Sequence, residues 1–273
     1  MYADVGLIQI GDLDRLWCET VGNPSSPFQV LSYNGSHICP KGLMNFFFAS
    51  RRDNPFFARC HRLFLQLWNA DGGKTSTEGM HGSVLLKEVP LMGGKSTIKE
   101  NIGKEEVYRV MITDYIIQIQ VMAMVMGLVD EEDEWNGPEY TAKHVYAMEY
   151  SVGAQLYNIM TGWKGQKLFD LMSLPLPKEG EVENAEQKEA REIVEACLKR
   201  SFALKLVHGL ALRVLGETLG TLWMKHEGSD DVPGTYAHWL RYASMHWNQD
   251  DIPPTVEFKV PEPFKNGPLL REI

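Results

Sequence analysis

The spacing of apolar residues changes along this chain, and that change limits its fold more than any other feature. Up to about residue 48, short apolar runs such as Leu7, Ile8 and Ile10, or Phe28 to Tyr33, are separated by turns rich in Gly, Asn, Pro and Ser, the pattern of strands. From Pro55, the residues Phe56, Phe57, Cys60, Leu63, Phe64, Leu67 and Trp68 recur every three or four positions. This spacing predicts a helix with Pro55 in its first turn. Beyond residue 104 helical spacing dominates, over 104–127, 139–160, 185–200, 201–226 and 234–246. The expected class is therefore α/β: an α/β portion over 1–103 and a mainly helical region over 104–273. A length of 273 residues leaves these free to pack as one domain or two.

Several segments have a plain structural reading. Pro175, Pro177 and the acidic run from Glu179 to Glu189 read as a solvated linker entering a helix, and 228–234 reads as a loop. Tyr236, Trp239, Tyr242, Met245, His246 and Trp247 form an aromatic stripe at helical spacing, expected to face the core. Residues 255–260 alternate as a strand. The apolar stretch from Ile112 to Leu128 is interrupted by Asp114, Gln118 and Gln120 and falls short of the ~20 apolar residues of a membrane span. It reads as a buried helix or strand-prone segment, so no integral span is expected, and no signal peptide pattern opens the chain.

Composition removes some functions. A net charge of −9 argues against a nucleic-acid partner, whose phosphates are held by clustered Lys and Arg. The four cysteines, Cys18, Cys39, Cys60 and Cys197, form no Cys-x-x-Cys pair, so neither a zinc ribbon nor a redox dithiol is indicated. A Cys18–Cys39 disulfide is compatible with a lumenal protein. Gly72-Gly73-Lys74-Thr75 has Trp68 where a phosphate loop needs its first Gly. There is no Gly-x-Ser-x-Gly elbow and no Gly-x-Gly-x-x-Gly turn, and the histidines lack ligand spacing.

The amino-terminal acids carry the chemistry. Asp4, Asp12 and Asp14 lie within eleven residues, beside a strand-like run. Short carboxylates at a strand end supply the hard oxygen ligands that Mn²⁺ or Mg²⁺ prefers, and such a cation would neutralise a diphosphate. Asp12 has a second reading, as the N-cap of a helix running into Leu16 and Trp17. Asp4 has one too, as a carboxylate closing a turn.

The segment Tyr2-Ala3-Asp4-Val5-Gly6 resembles the Gly-Gly-x-Tyr-x-Asp-x-Asp stretch of family 32 glycosyltransferases and their fungal capsular-polysaccharide-synthesis-like relatives. Tyr2 and Asp4 match its Tyr and first Asp. The run from Asn45 to Phe56 is similar to a later block of that family, and Thr77 to Leu86 to a loop that follows it. The resemblance implies a glycosyltransferase-A-like fold and a nucleotide-sugar donor, with a glycan, lipid or small-molecule hydroxyl as acceptor. It implies a divalent cation, Mn²⁺ or Mg²⁺, held by Asp4, and Asp12 and Asp14 could substitute for the ligand missing at Gly6. Tyr2 would bind the donor, as would Asn45 and one of Arg51 and Arg52 by their chemistry, unless the arginines pair with nearby acids; Glu78 and His81 would line the site, to contact substrate or move a proton, unless they are simply solvated. Relatives of this type are often anchored in the secretory pathway by an amino-terminal span.

Two departures follow from the same comparison. Gly6 stands where the second Asp is expected, which removes a ligand. The family's first strand, helix and Gly-Gly pair precede the Tyr, so the chain is expected to be truncated or diverged. A competing reading is therefore a scaffold that has lost sugar transfer and works as a binding protein or a recruited small-molecule enzyme.

Overall fold

The structure, a computed structural model, describes residues 1–39, 41–92, 105–209, 212–260 and 262–268. The chain is a mixed α/β fold, the expected class. The strands are β1 (Tyr2–Ala3), β2 (Leu7–Gln9), β3 (Val30–Asn34), β4 (Leu43–Ser50), β5 (Leu128–Asp130), β6 (Trp135–Asn136), β7 (Val145–Glu149), β8 (Ala203–Lys205) and β9 (Lys265–Asn266). The helices are α1 (Leu13–Glu19), α2 (Pro55–Asn69), α3 (Glu105–Tyr115), α4 (Ile117–Met126), α5 (Gly137–His144), α6 (Tyr150–Met160), α7 (Gly165–Ser173), α8 (Ala185–Arg200), α9 (Leu212–Leu215), α10 (Leu219–Lys225) and α11 (Tyr236–His246). They divide into two compact units, one from Met1–Tyr2, Cys18–Met148 and Thr255–Ile273, the other from Ala3–Trp17 and Glu149–Pro254. The division expected at 103/104 lies outside the described residues.

The first unit is built on a four-stranded sheet in the order β1-β4-β3-β7. β3 and β4 pair antiparallel, with Val30 opposite Ser50 and Ser32 opposite Phe48, and the register shifts between Ser32 and Asn34. Ser32 Oγ lies against the carbonyls of Met44 and Phe47, at 3.2 and 2.9 Å, which satisfies a buried hydroxyl beside the irregularity. α2 starts where expected. Asn54 Oδ1 accepts from the amides of Phe56 and Phe57, Pro55 needs no donor in the first turn, and Phe56, Cys60, Leu63 and Leu67 form the buried face. Each of the larger apolar side chains there contributes about 1.5–3 kcal/mol on burial.

The apolar stretch around residue 117 is two helices, α3 and α4, bent by 80°. Among the described residues no single helix is long and apolar enough to cross a membrane. α4 is a core helix: Ile117 and the run from Ile119 to Met126 are all buried. The helix expected over 139–160 is interrupted by β7, whose Val145, Tyr146, Ala147 and Met148 are buried in the sheet. Tertiary pairing overrides the helical spacing there. Within the tail strand expected over 255–260, only Thr255 makes a bridge, to Met148. Pro253 and Pro254 leave the approach to it without backbone donors.

The second unit carries a two-stranded antiparallel ribbon, Leu7 opposite Lys205 and Gln9 opposite Ala203. Its helices surround a core that includes Leu156, Leu168, Ile193, Cys197, Leu219 and Leu240. α8 begins with a capping box between Asn184 and Gln187, directly after the acidic linker. The segment 201–226 is not one helix but β8, α9 and α10 in turn. The aromatic stripe of α11 divides: Tyr236 is fully buried, whereas Tyr242 and Met245 are 56% and 75% exposed.

Candidate functional site

A cleft of about 420 Å³ opens in the first unit between β4, α2 and α4. Tyr2, Phe48, Phe57 and Phe64 supply its aromatic walls, with His61 and Gln118 among its polar groups. Alternation along β4 turns Phe48 away from the buried Phe47, and helical spacing puts Phe57, His61 and Phe64 on one side of α2. Tyr2 stacks on Phe48 with ring centroids 5.0 Å apart, and Phe48 meets Phe57 at 5.1 Å. Asn45 Nδ2 donates to Gln118 Oε1 at 3.3 Å, so Asn45 reaches the cleft through its neighbour. Two expected donor residues, Tyr2 and Asn45, therefore belong to one place. The volume is that of a small-ligand site, with apolar walls and a few orienting polar groups.

His81 lies in a short turn, Met80–Gly82, entered through Gly79 at φ 76°, a left-handed conformation that favours glycine. Its Nδ1 is 2.8 Å from Asp114 Oδ1 on α3. The same carboxylate accepts the backbone amides of His81 at 3.0 Å and Gly79 at 2.8 Å. Asp114 is buried and the His81 side chain is a quarter exposed. The arrangement can hold an imidazole in one orientation. Glu78, the other expected proton-transfer residue, is exposed, and its backbone amide donates to Ser76 Oγ. In the sequence Asp114 reads only as a break in an apolar run. A carboxylate between the apolar runs Val110–Ile112 and Ile116–Ile117, which burial forces to find donors, is the available signal.

The adjacent arginines have different surroundings. Arg51 donates to three carbonyls, Val21 and Asn23 at 2.8 Å and Ser26 at 3.2 Å, and so ties down the 21–26 loop. The Arg52 side chain is 95% exposed and only loosely paired with Asp53, at 3.7 Å. Of the two, Arg52 is the one accessible to a ligand.

The three amino-terminal carboxylates lie in the second unit, each with its own local partner or exposure. Asp4 Oδ2 is 3.0 Å from Lys205 Nζ, whose side chain is only 12% exposed. Asp12 Oδ1 accepts the amide of Arg15 at 2.9 Å and so caps α1. Asp14 is exposed in the first turn of that helix, where a negative charge suits the helix dipole. Among the described residues no three His, Cys, Asp or Glu side chains are grouped to hold a metal ion. As placed, these carboxylates do not fit a divalent cation, which needs several converging oxygens. The missing second Asp has a steric counterpart: a Cβ at Gly6 would meet the His208 ring. Burial lowers the pKa of His208 below its ordinary value, and the nearby Lys205 charge acts in the same direction.

The sequence is 29% identical to the O-glycosyltransferase braB of Annulohypoxylon truncatum over 258 residues, 91% of this chain and 59% of that protein. It is 30% identical to the glycosyltransferase afumC of Aspergillus fumigatus over 253 residues, 91% of this chain and 62% of that protein. Identity to the O-glycosyltransferase PaGT of Phomopsis amygdali is 26% over 271 residues, 95% of this chain and 63% of that protein. The chain is thus related to fungal glycosyltransferases. It spans about three fifths of the length of the curated relatives it matches. No family model and no solved structure matches it.

Proposed function

We propose that this protein transfers a sugar from a nucleotide-sugar donor to an acceptor hydroxyl. The observation that carries the reading is the similarity to named fungal glycosyltransferases over nine tenths of the chain. Two of those relatives are named as O-glycosyltransferases, which favours oxygen as the attacking atom. The motif around Tyr2 and Asp4 supports a place near family 32 and its capsule-type relatives.

In this reading His81 takes the acceptor proton on Nε2 as the acceptor oxygen bonds to the anomeric carbon. The bond from that carbon to the donor diphosphate breaks, and its electron pair leaves with the nucleoside diphosphate. Arg52 offers a guanidinium to the diphosphate in bidentate fashion. The aromatic walls around Tyr2 and Phe57 suit a sugar ring or an acceptor with an apolar face. Gln118 of the cleft lies four residues beyond Asp114, across the bend between α3 and α4, while His81 itself is not among the cleft's lining residues.

Calorimetric titration with UDP-sugars and GDP-sugars tests donor binding. Saturable binding that weakens about tenfold or more in Tyr2→Ala or Arg52→Ala supports the reading, since a charge-assisted contact contributes about 1.5–3 kcal/mol. Binding of no nucleotide-sugar contradicts it. The ungrouped carboxylates and the filled space beside Gly6 favour the second reading, a ligand-binding scaffold without transfer. That reading requires ligand binding without any release of nucleoside diphosphate.

A further inference from the structure

We infer that Asp114 is a positioning residue that sets the tautomer and direction of His81. This inference rests on the transferase reading for its purpose, but its geometry stands apart from it. Asp114 accepts three N–H groups: Gly79 N on Oδ2, and His81 N and Nδ1 on Oδ1. Two of these, the backbone amides, are enough to fix the turn that carries His81. The third adds nothing to the turn. It immobilises a ring that is a quarter exposed and would otherwise sample several rotamers.

The chemical consequence follows from the nature of the acceptor. An ionised carboxylate only accepts hydrogen bonds, so Nδ1 must carry the proton. In the neutral ring the lone pair then resides on Nε2, which has no partner among the described residues. Asp114 therefore presents the proton-accepting nitrogen away from α3. When Nε2 takes a proton, the Nδ1–H bond to the carboxylate keeps the ring in place. The proton stays on the ring and does not pass to Asp114. Asp114 is 7% exposed, so little water competes for its oxygens.

The test uses the full chain, uniformly labelled with ¹⁵N. Long-range ¹H–¹⁵N correlation reports the tautomer of each imidazole, and His81→Gln identifies the His81 signals by their loss. The expected result is a neutral His81 protonated on Nδ1, shifting toward Nε2 protonation in Asp114→Ala. A wild-type His81 protonated mainly on Nε2, or a tautomer unchanged in Asp114→Ala, overturns the inference. Should Asp114→Ala fail to fold, the wild-type tautomer still decides, and Asp114→Asn supplies the kinetic comparison.

Release of UDP from UDP-glucose, or of nucleoside diphosphate from whichever nucleotide-sugar is turned over, gives that comparison. Asp114→Asn is expected to lower kcat by about 10²–10⁴-fold with KM within about twofold. Combined with His81→Gln it is expected to cost no more than His81→Gln alone, because the two residues act as a unit. Multiplying losses would overturn the inference. If the wild-type chain releases no nucleoside diphosphate, the transferase reading fails, while the tautomer still decides the role of Asp114.

Discussion

Gly6 and His208 compete for one space: a Cβ at position 6 would lie 2.5 Å from His208 Cε1 and 3.2 Å from the Leu206 carbonyl oxygen. The residue that departs from the Asp-x-Asp pattern is therefore one where an added side chain requires the His208 ring to shift. Gly6→Ala and Gly6→Asp are expected to destabilise the protein by about 1–3 kcal/mol, the usual cost of overpacking. His208→Ala should relieve most of that cost. Denaturant titration of the double-mutant cycle checks this, with a coupling above about 0.5 kcal/mol expected for residues in contact. Additive changes would show that the space is not shared.

His208 also makes stability depend on pH. Its folded pKa is lowered, first by burial and then by Lys205, while the unfolded chain binds a proton at the ordinary 6.5. The unfolded state thus holds more protons below 6.5, and the stabilisation present above that pH is lost as pH falls through the folded pKa. Denaturation midpoints measured from pH 8 to 5 should fall on the acid side, and the fall should be shallower in His208→Gln.

Arg51 and Arg52 should respond oppositely to truncation. Arg51→Ala removes three hydrogen bonds to loop carbonyls and is expected to cost about 2–3 kcal/mol. Arg52→Ala should change stability by no more than about 0.5 kcal/mol, as an exposed substitution does. Thermal melts separate the two, and equal effects would contradict the assignment of Arg51 to the loop.

Thiol reactivity should divide one against three. Cys18 is exposed, and Cys39, Cys60 and Cys197 are buried. Burial pushes the thiols of Cys39 and Cys197 up to about 12, so little thiolate forms near neutrality. A chromogenic disulfide reagent should titrate one thiol rapidly in the folded protein and the other three only on unfolding.

Local chemistry made part of this fold legible. Pro55 and the apolar spacing after it define α2, and Asn184 with Gln187 defines the start of α8, because caps and amphipathic faces are encoded by neighbouring residues. β7 and β8 were hidden inside helical patterns, because their strand state depends on partners far away in sequence: β3 for one and β2 for the other. The same limit applies to the site. His81 was visible as a histidine in a Gly-bearing loop, but its link to Asp114 spans 33 residues. The neighbours Arg51 and Arg52 looked equivalent until the 21–26 loop distinguished them. Asp12 had two readings, and the amide of Arg15 shows the capping one.

Sugar transfer itself is tested most directly by incubating the purified chain with UDP-sugars and GDP-sugars and following nucleoside diphosphate release, alongside His81→Gln. The expected result is saturable release from at least one donor, reduced about 10²-fold or more in the variant, the usual contribution of a positioned base. Release from no donor, or equal release by wild type and His81→Gln, would contradict the account.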